Sequence, residues 1–386
     1  MTTSYALPPG PPPGTSFAPF PSPKFPARGW DVIQPPDALH DACENLFYHA
    51  AKFFAEDTAY KKQFALPTNT EYQASEEGWS EVPTEKQLLT LRTYESPYTP
   101  REPESEIREA ARDAWKEAGW WMHSVVRDVV EPALGLPEGV FDELILPCVE
   151  MPASESVASL LRMFRYERPP PGADEDRGVV SETHKDLGLM SLVIGHSPGL
   201  EVWNPDTDSW FSVEDRGQSP GDRQDDSVMG AMTATLVIGQ TLQALTNGRF
   251  VACRHRVRLH PSILPPASAT SSAEASSSAA DELASMFSPN HRYSLVFTLR
   301  AHLPTPLYPQ LYSTPVTGQV RFPDRIKTAG DLYKHISGMS WNVNINVEER
   351  RKQEEQIKKR KTLDPGLDQG AGKAEQQASG NGVGKG

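Results

Sequence analysis

Cysteine is scarce in this chain, with three among 386 residues, at Cys43, Cys148 and Cys253. The number is odd, the spacings are wide and no C-x-x-C pair occurs, so neither a disulfide framework nor a thiolate zinc site is encoded. Cys253 is expected to be a buried small hydrophobe. Long apolar runs are also missing: none approaches the roughly 20 residues that span a bilayer. The start lacks the basic and apolar segments of a secretory signal. Basic residues are outnumbered, 38 Lys and Arg against 51 Asp and Glu, for a net charge of −13. That balance supplies no broad cationic surface for a phosphate backbone. No nucleic-acid or membrane partner is therefore expected, and cytoplasm is the expected compartment. One basic cluster, Lys358-Lys359-Arg360-Lys361, leaves nuclear import open. No internal repeat occurs.

Proline is plentiful, with 36 residues, and it crowds the start. Runs such as Pro8-Pro9-Gly10-Pro11-Pro12-Pro13 cannot join helix or sheet ladders, so residues 1–28 read as a Pro-rich disordered tail. Residues 29–157 read as a mostly helical region. Within it Asp37 is expected to cap a helix through about Phe54, with Leu39, Ala42, Cys43, Leu46, Phe47, Ala50 and Phe54 on one side. Residues 75–91 read as a loop carrying Gly78-Trp79. Residues 104–130 read as one long helix, with Trp115, Gly119, Trp120 and Met122 toward the core.

From 158 to 345 the pattern changes. Short apolar runs alternate with Gly, Pro, Asn and Asp turns as far as about 303, the signature of a β sandwich or barrel. Two insertions are expected, one around 217–222 and a mobile, Ser/Ala-rich one at about 261–290. Thr328-Ala329-Gly330-Asp331-Leu332 opens a further helix. Residues 346–386 read as a charged, solvated helix followed by a disordered tail.

The chemistry concentrates at His184, Asp186 and His255. Alternate residues of a strand project to one side, so His184 and Asp186 can reach one metal, and His255 can join them from another strand. Two imidazoles and one carboxylate on one face leave the opposite face of Fe(II) open. A rival pattern is Gly195-His196-Ser197-Pro198-Gly199, which fits the G-x-S-x-G elbow of serine hydrolases. That elbow requires a helix directly after the serine. Here Leu200-Glu201-Val202-Trp203 reads as a strand and Asn204-Pro205-Asp206 as a turn, which makes His196 a loop histidine.

Six segments in order resemble the isopenicillin N synthase-like family of Fe(II)/2-oxoglutarate dioxygenases. They are Leu161-Arg162-Met163-Phe164-Arg165-Tyr166, the stretch opening His184-Lys185-Asp186-Leu187-Gly188, Gly199-Leu200-Glu201-Val202, Leu245-Thr246-Asn247-Gly248-Arg249-Phe250, His255-Arg256-Val257 and Arg292-Tyr293-Ser294. The fifth and fourth resemble the strand pair that delivers the distal histidine. The likeness covers about residues 29–337. It implies a mainly β fold with flanking helices, a double-stranded β-helix (jelly roll) with iron at one open end, acting as a monomer. It also implies Fe(II), 2-oxoglutarate as co-substrate, O₂ and, as an accessory reductant, ascorbate. Arg292 and Ser294 are assigned to the distal carboxylate of the keto acid, because an arginine fork and a hydroxyl two residues on share one strand face. Tyr166 is a further donor by the same resemblance. The implied reaction is hydroxylation, desaturation or ring closure of a small organic substrate, with release of succinate and CO₂.

Three features depart from the family pattern. Phe164 stands where Asn is usual, Gln240 where Asp is usual, and the proline tract where a strand and a helix precede Gly29-Trp30-Asp31-Val32-Ile33. The last means either that the fold lacks that edge or that the sequence is incomplete at its start. Three other functions stay open: a keto-acid-independent iron oxidase, a non-catalytic binding protein of the same fold, and the serine hydrolase.

Overall fold

The alternation of inward and outward side chains along two long strands sets this architecture. The computed structural model describes residues 20–65, 76–99, 105–155, 157–169, 178–214, 233–259, 290–340, 342–345 and 347–363. The stretch before residue 20, the tail after 363 and the two insertions, apart from Asn290, lie outside the described residues. The strands are β1 (Trp30–Ile33), β2 (Gly78–Val82), β3 (Lys86–Leu91), β4 (Leu160–Glu167), β5 (Val179–His184), β6 (Met190–Gly195), β7 (Leu200–Asn204), β8 (Ser209–Ser212), β9 (Thr233–Ile238), β10 (His255–Arg258) and β11 (His291–Leu299). They form two antiparallel sheets, a seven-stranded one in the order β1-β9-β6-β11-β4-β3-β2 and a four-stranded one in the order β5-β10-β7-β8. This is the expected jelly roll.

On β4, Leu161 and Met163 join the large core outside the sheet, whereas Phe164 and Tyr166 join a small cluster between the sheets. On β11, Tyr293, Leu295, Phe297 and Leu299 share the outer core. Period-two patterning thus sends Arg292, Ser294, Val296 and Thr298 to the inner face.

Two helices cover the outer face: α1 (Asp37–Ala55) and α2 (Ser105–Val125), the latter running on into a π-helical turn at Val126–Val130. Leu39, Cys43, Leu46, Phe47, Ala50 and Phe54 are buried as expected. Asp37 is not the cap, however. Pro36 takes that place without a side-chain bond, and Asp37 sits in the first turn, where its charge still suits the helix dipole. On α2, Trp115 and Met122 are fully buried, and the Trp115 and Phe297 rings lie 5.1 Å apart. Trp120 is 43 % exposed, contrary to expectation. Positions 115, 119 and 122 share a stripe at helical spacing, and 120 falls beside it.

Other expectations also change. Residues 78–91 form the β2–β3 hairpin at the sheet edge rather than a loop. Residues 245–250 are not a strand: helix α3 (Gln240–Leu245) ends there in a turn through Asn247 (φ 50°) and Gly248 (φ 75°), backbone values that a strand cannot accommodate. The globular part begins before Gly29, since Phe25 is fully buried, 6.0 Å from the Phe250 ring, and the Ser22 N–H donates to Asp31 at 2.7 Å. Helix α4 (Ala329–Ser337) starts in a capping box of Thr328 and Asp331. Helix α5 (Val347–Leu363) is less solvated than its charge suggested. Its Arg350 is buried against Glu85 and Glu182, and Ile357 is buried too. Among the described residues, no helix is long and apolar enough to cross a membrane.

Candidate metal centre

Strand pairing brings the two histidines together. His184 closes β5, His255 opens β10, and the two residues are direct partners in the ladder, with ring centroids 4.3 Å apart. Asp186 lies two residues beyond the end of β5, in the turn that follows, not on the strand itself. Its Oδ1 is 3.6 Å from His184 Nε2 and 3.8 Å from His255 Nε2. The ligand atoms of the three residues all lie within 4.8 Å of one another, as one ion would require.

Backbone carbonyls orient both rings. His184 Nδ1 lies 2.7 Å from the Glu182 carbonyl, and His255 Nδ1 lies 3.3 Å from the Cys253 carbonyl. Donation from Nδ1–H leaves each Nε2 lone pair free for a metal. Burial, with His255 alongside, pulls His184 down to about 3, so its imidazole is neutral, the form a cation needs. Asp186 Oδ2 is buried without any partner. A buried carboxylate with one oxygen left open, beside two imidazoles, fits a divalent cation.

Gln240 props the turn that carries Asp186. Its backbone N–H donates to the Asp186 carbonyl at 2.8 Å, and its Nε2 donates to the Lys185 carbonyl at 3.0 Å. The family's usual carboxylate could not make the second bond, having no hydrogen to give. The departure at 240 therefore keeps a supporting role by another route.

The triad opens on a cavity of about 750 Å³ between the sheets. Tyr166 lines it, stacked on Phe164 with ring centroids 5.1 Å apart, and burial raises the Tyr166 phenol to about 12. Residues of α4, α5 and the segment between them, including Tyr333, Met339, Val343 and Ile357, line the opposite side.

Arg292 and Ser294 do not line this cavity. Arg292 is fully buried, and its Nη2 meets both oxygens of Glu214 at 2.7 and 3.0 Å. Its Nε donates to the Ser197 carbonyl at 2.8 Å. Arg292 Nη1 is a buried donor without an acceptor, and Ser294 Oγ has the Tyr166 hydroxyl for a neighbour. The guanidinium carbon lies 5.4 Å from the Tyr166 ring centre, so the three residues assigned to the keto acid do form one neighbourhood.

Gly195 and Gly199 have their explanation here. A Cβ on Gly195 would strike the Arg292 guanidinium and the Glu214 carboxylate, and one on Gly199 would strike the Arg292 side chain. The G-H-S-P-G turn is wrapped around a buried arginine. β7 follows it and no helix does, so the hydrolase elbow is absent. His196 Nδ1 accepts the Tyr293 N–H at 2.9 Å, and burial lowers this ring to about 3.

Four charged residues near the site escaped the sequence reading: Glu76, Lys86, Glu214 and Arg300. Arg300 alone carried a signal, because it continues the inward face of 292, 294, 296 and 298 at strand period. The other three act through contacts that no local pattern announces.

No family model matches the chain. It is 31 % identical over 78 residues to 2-oxoglutarate-dependent dioxygenase 21 of rice, Oryza sativa subsp. japonica, covering 20 % of this chain and 19 % of that one. It is 32 % identical over 104 residues to the 2-oxoglutarate-dependent dioxygenase frbH of a Dothideomycetidae species, covering 27 % of each. The chain thus matches only a quarter or so, at most, of the length of these curated relatives. Solved structures extend the likeness in fold. A 2OG-Fe(II) oxygenase family protein of Caulobacter crescentus superposes with a TM-score of 0.55 at 20 % identity, over 82 % of this chain and 92 % of that one. A full-length Neurospora crassa protein bound to alpha-KG and 5-formyluracil gives 0.55 at 15 % identity, over 80 % and 86 %. JOX2 in complex with 2OG, Fe and JA gives 0.56 at 15 % identity, over 84 % and 81 %. Taken with the jelly roll, these likenesses show that the chain shares the fold of the Fe(II)/2-oxoglutarate oxygenases.

Proposed function

We propose that this protein is a non-haem Fe(II)- and 2-oxoglutarate-dependent dioxygenase of the isopenicillin N synthase-like branch, oxidising a small organic molecule. The observation that carries the proposal is the convergence of two imidazole Nε2 atoms on one Asp186 oxygen, at 3.6 and 3.8 Å, in the wall of a cavity between the sheets. His184, Asp186 and His255 would hold the metal. When bound, iron with 2-oxoglutarate and O₂ supplies the oxidising power for an unactivated C–H bond, and ascorbate would serve as accessory reductant.

The remaining work belongs to the protein. Arg292 Nη1 offers a buried, unmatched donor to the distal carboxylate of the keto acid, and Ser294 and Tyr166 stand beside it. Buried donors of this kind are costly until an acceptor arrives, which favours an anionic occupant. The α4–α5 segment supplies one wall of the cavity. No general acid–base pair is required, and the neutral His196, tied to the backbone, supplies none. Relatives in the fold comparison bind ligands as different as 5-formyluracil and JA, which supports a small-molecule substrate without selecting one.

One observation favours a second reading. Glu214 already occupies the Arg292 fork that a keto acid would use. A keto-acid-independent iron oxidase would keep this ion pair permanently. Anaerobic titration of the Fe(II)-loaded protein with 2-oxoglutarate separates the two readings. A saturable visible metal-to-ligand charge-transfer band, absent from His184→Ala, is the expected result. Bound iron without a band would favour the second reading, and failure to bind iron would end both.

A further inference from the structure

The His184 ring takes its orientation from a residue that the β ladder holds out of register. β5 and β10 pair His184 with His255 and Ser181 with Val257. Between those pairs β5 has two residues, Glu182 and Thr183, where β10 has Arg256 alone. The mismatch is a β-bulge, which leaves its extra residue outside the regular ladder and re-aims the chain locally. Glu182, in that bulge, supplies the carbonyl that lies 2.7 Å from His184 Nδ1. A ring oriented through a bulge carbonyl depends on whatever else fixes that residue.

Arg350 of α5 does the fixing. Its side chain is buried, with Nη1 3.0 Å from Glu182 Oε1 and Nη2 donating to Glu85 Oε1. Glu85 is itself tied down in the β2–β3 turn, where its carbonyl accepts the Glu167 N–H at 2.9 Å. One guanidinium thus joins Glu182, on the four-stranded sheet, to the rim of the seven-stranded sheet. Lys86 adds a parallel tie, from β3 to Ser181 Oγ at 3.3 Å and to the Val343 carbonyl at 2.9 Å. The Glu182 side chain is 44 % exposed, so its ion pair adds little to overall stability. What the pair fixes is the place of one carbonyl. The same carboxyl-terminal region also approaches the support of Asp186, since Gln240 Nε2 donates to Ser340 Oγ at 3.4 Å as well as to the Lys185 carbonyl.

We propose that Arg350 is a positioning residue for the metal centre: through Glu182 it sets the His184 ring, so metal affinity depends on the seating of α5. The inference rests on the reading of His184, Asp186 and His255 as metal ligands. It adds to them two residues that act through His184. The lever is geometric, because Glu182 reaches the ring with its backbone and Arg350 with its side chain.

The test is Co(II) titration of the full-length apoprotein, followed through the visible ligand-field bands of the bound ion. The chains compared are wild type, Arg350→Met, Glu182→Ala, Glu85→Ala and the combination of Arg350→Met with Glu182→Ala. Glu182→Ala removes the carboxylate and keeps the carbonyl. Glu85→Ala releases the other arm of the same arginine and so controls for the seating of α5 alone. Arg350→Met and Glu182→Ala should each weaken Co(II) binding by about tenfold, the size expected of groups that orient a ligand, and should shift the bands. Arg350→Lys should retain part of the affinity. The combined variant should lose no more than the weaker-binding single one, because both act along one chain of contacts. Glu85→Ala should lose clearly less than Glu182→Ala. The proposal is overturned if Glu182→Ala binds Co(II) as tightly as wild type, if Glu85→Ala loses as much as Glu182→Ala, or if the two single losses add in the combined variant. Should Arg350→Met fail to fold, the Glu182 and Glu85 variants still decide. A wild type that binds no Co(II) would overturn the metal centre and this proposal together, whereas a wild type that binds beside unaltered variants would remove only the role of Arg350.

Discussion

The Arg292 guanidinium and the Glu214 carboxylate meet through one nitrogen and two oxygens, at 2.7 and 3.0 Å, with both side chains sealed from solvent. The fork is half used: Nη2 serves Glu214, and Nη1 serves nothing. A keto-acid carboxylate must therefore share the guanidinium with Glu214 or displace it. Glu214→Gln should tighten 2-oxoglutarate binding several-fold, because a neutral amide competes less well for the cation. Arg292→Ala should weaken it at least tenfold while iron remains bound. It should also cost about 3–5 kcal/mol of stability, since it strands a buried carboxylate. Arg292→Met combined with Glu214→Gln should recover much of that loss. Charge-transfer titration reads the first two effects and urea unfolding the rest, and equal 2-oxoglutarate affinity in Arg292→Ala and wild type would remove Arg292 from the site.

Asp186→Ala should abolish tight iron binding without unfolding the chain. Oδ2 accepts no hydrogen bond, and Ser191 and Arg300 keep Thr298 and Glu76 as partners once the carboxylate is gone. Anaerobic Fe(II) titration beside far-ultraviolet dichroism checks both halves of this expectation. Retained micromolar iron in the variant would move the metal elsewhere.

Gln240 acts on the metal through the backbone. Gln240→Asp restores the family's usual residue but removes the donor to the Lys185 carbonyl at 3.0 Å. Supporting residues of this kind are worth about 10- to 100-fold in metal affinity. Gln240→Asp should therefore weaken Fe(II) binding by about tenfold, whereas Gln240→Glu, longer but equally unable to donate, should do no better. Unchanged affinity in both would show that the turn holds itself.

Lys86 should give the protein an alkaline gain in stability. Its ammonium is buried, donating to the Val343 carbonyl at 2.9 Å and to Ser181 Oγ at 3.3 Å. Burial lowers it from the ordinary 10.5 to about 7; Glu85 and Glu182 oppose the shift, while Arg350 and Arg162 reinforce it. Between about 7 and 10.5 the unfolded chain holds a proton that the folded chain has released, so stability rises with pH across that window. Below about 7 both states are charged and the burial penalty is complete. Lys86→Met should flatten this part of the profile. Melting temperatures of the two proteins at pH 6.5 and 8.5 test it, and parallel profiles would refute the assignment.

Much of the site was legible because strand geometry is simple arithmetic. His184, His255, Arg292, Ser294 and Tyr166 lie on strands as a period of two predicts, whereas Asp186 has slipped from strand to turn and Arg292 and Ser294 lie outside the cavity lining. The β2–β3 hairpin was obscured because every residue of β3 is buried, so Lys86, Gln87 and Thr90 break the apolar alternation that marks a half-exposed strand. The turn after α3 was misread because Asn247 and Gly248 adopt left-handed conformations that an apolar pattern does not reveal. Glu214 was invisible for a different reason: its partner lies 78 residues away, and no local spacing encodes such a pair. The same contact explains the G-x-S-x-G string, whose two glycines make room for the arginine.

The strand that carries Arg292 also leads directly to Arg300, and this makes β11 a ruler. Eight residues of extended chain separate the two by roughly 26 Å at about 3.3 Å per residue. That distance is held by the ladders that β11 forms with β4 and β6 on its two sides. A five-carbon diacid is far too short to bridge both cations, and a substrate held at one end cannot reach the other. The two cations are thus set apart by one piece of backbone, each with its own carboxylate partner. A change at position 300 is therefore felt at the Glu76 end of the strand and not at the Glu214 end.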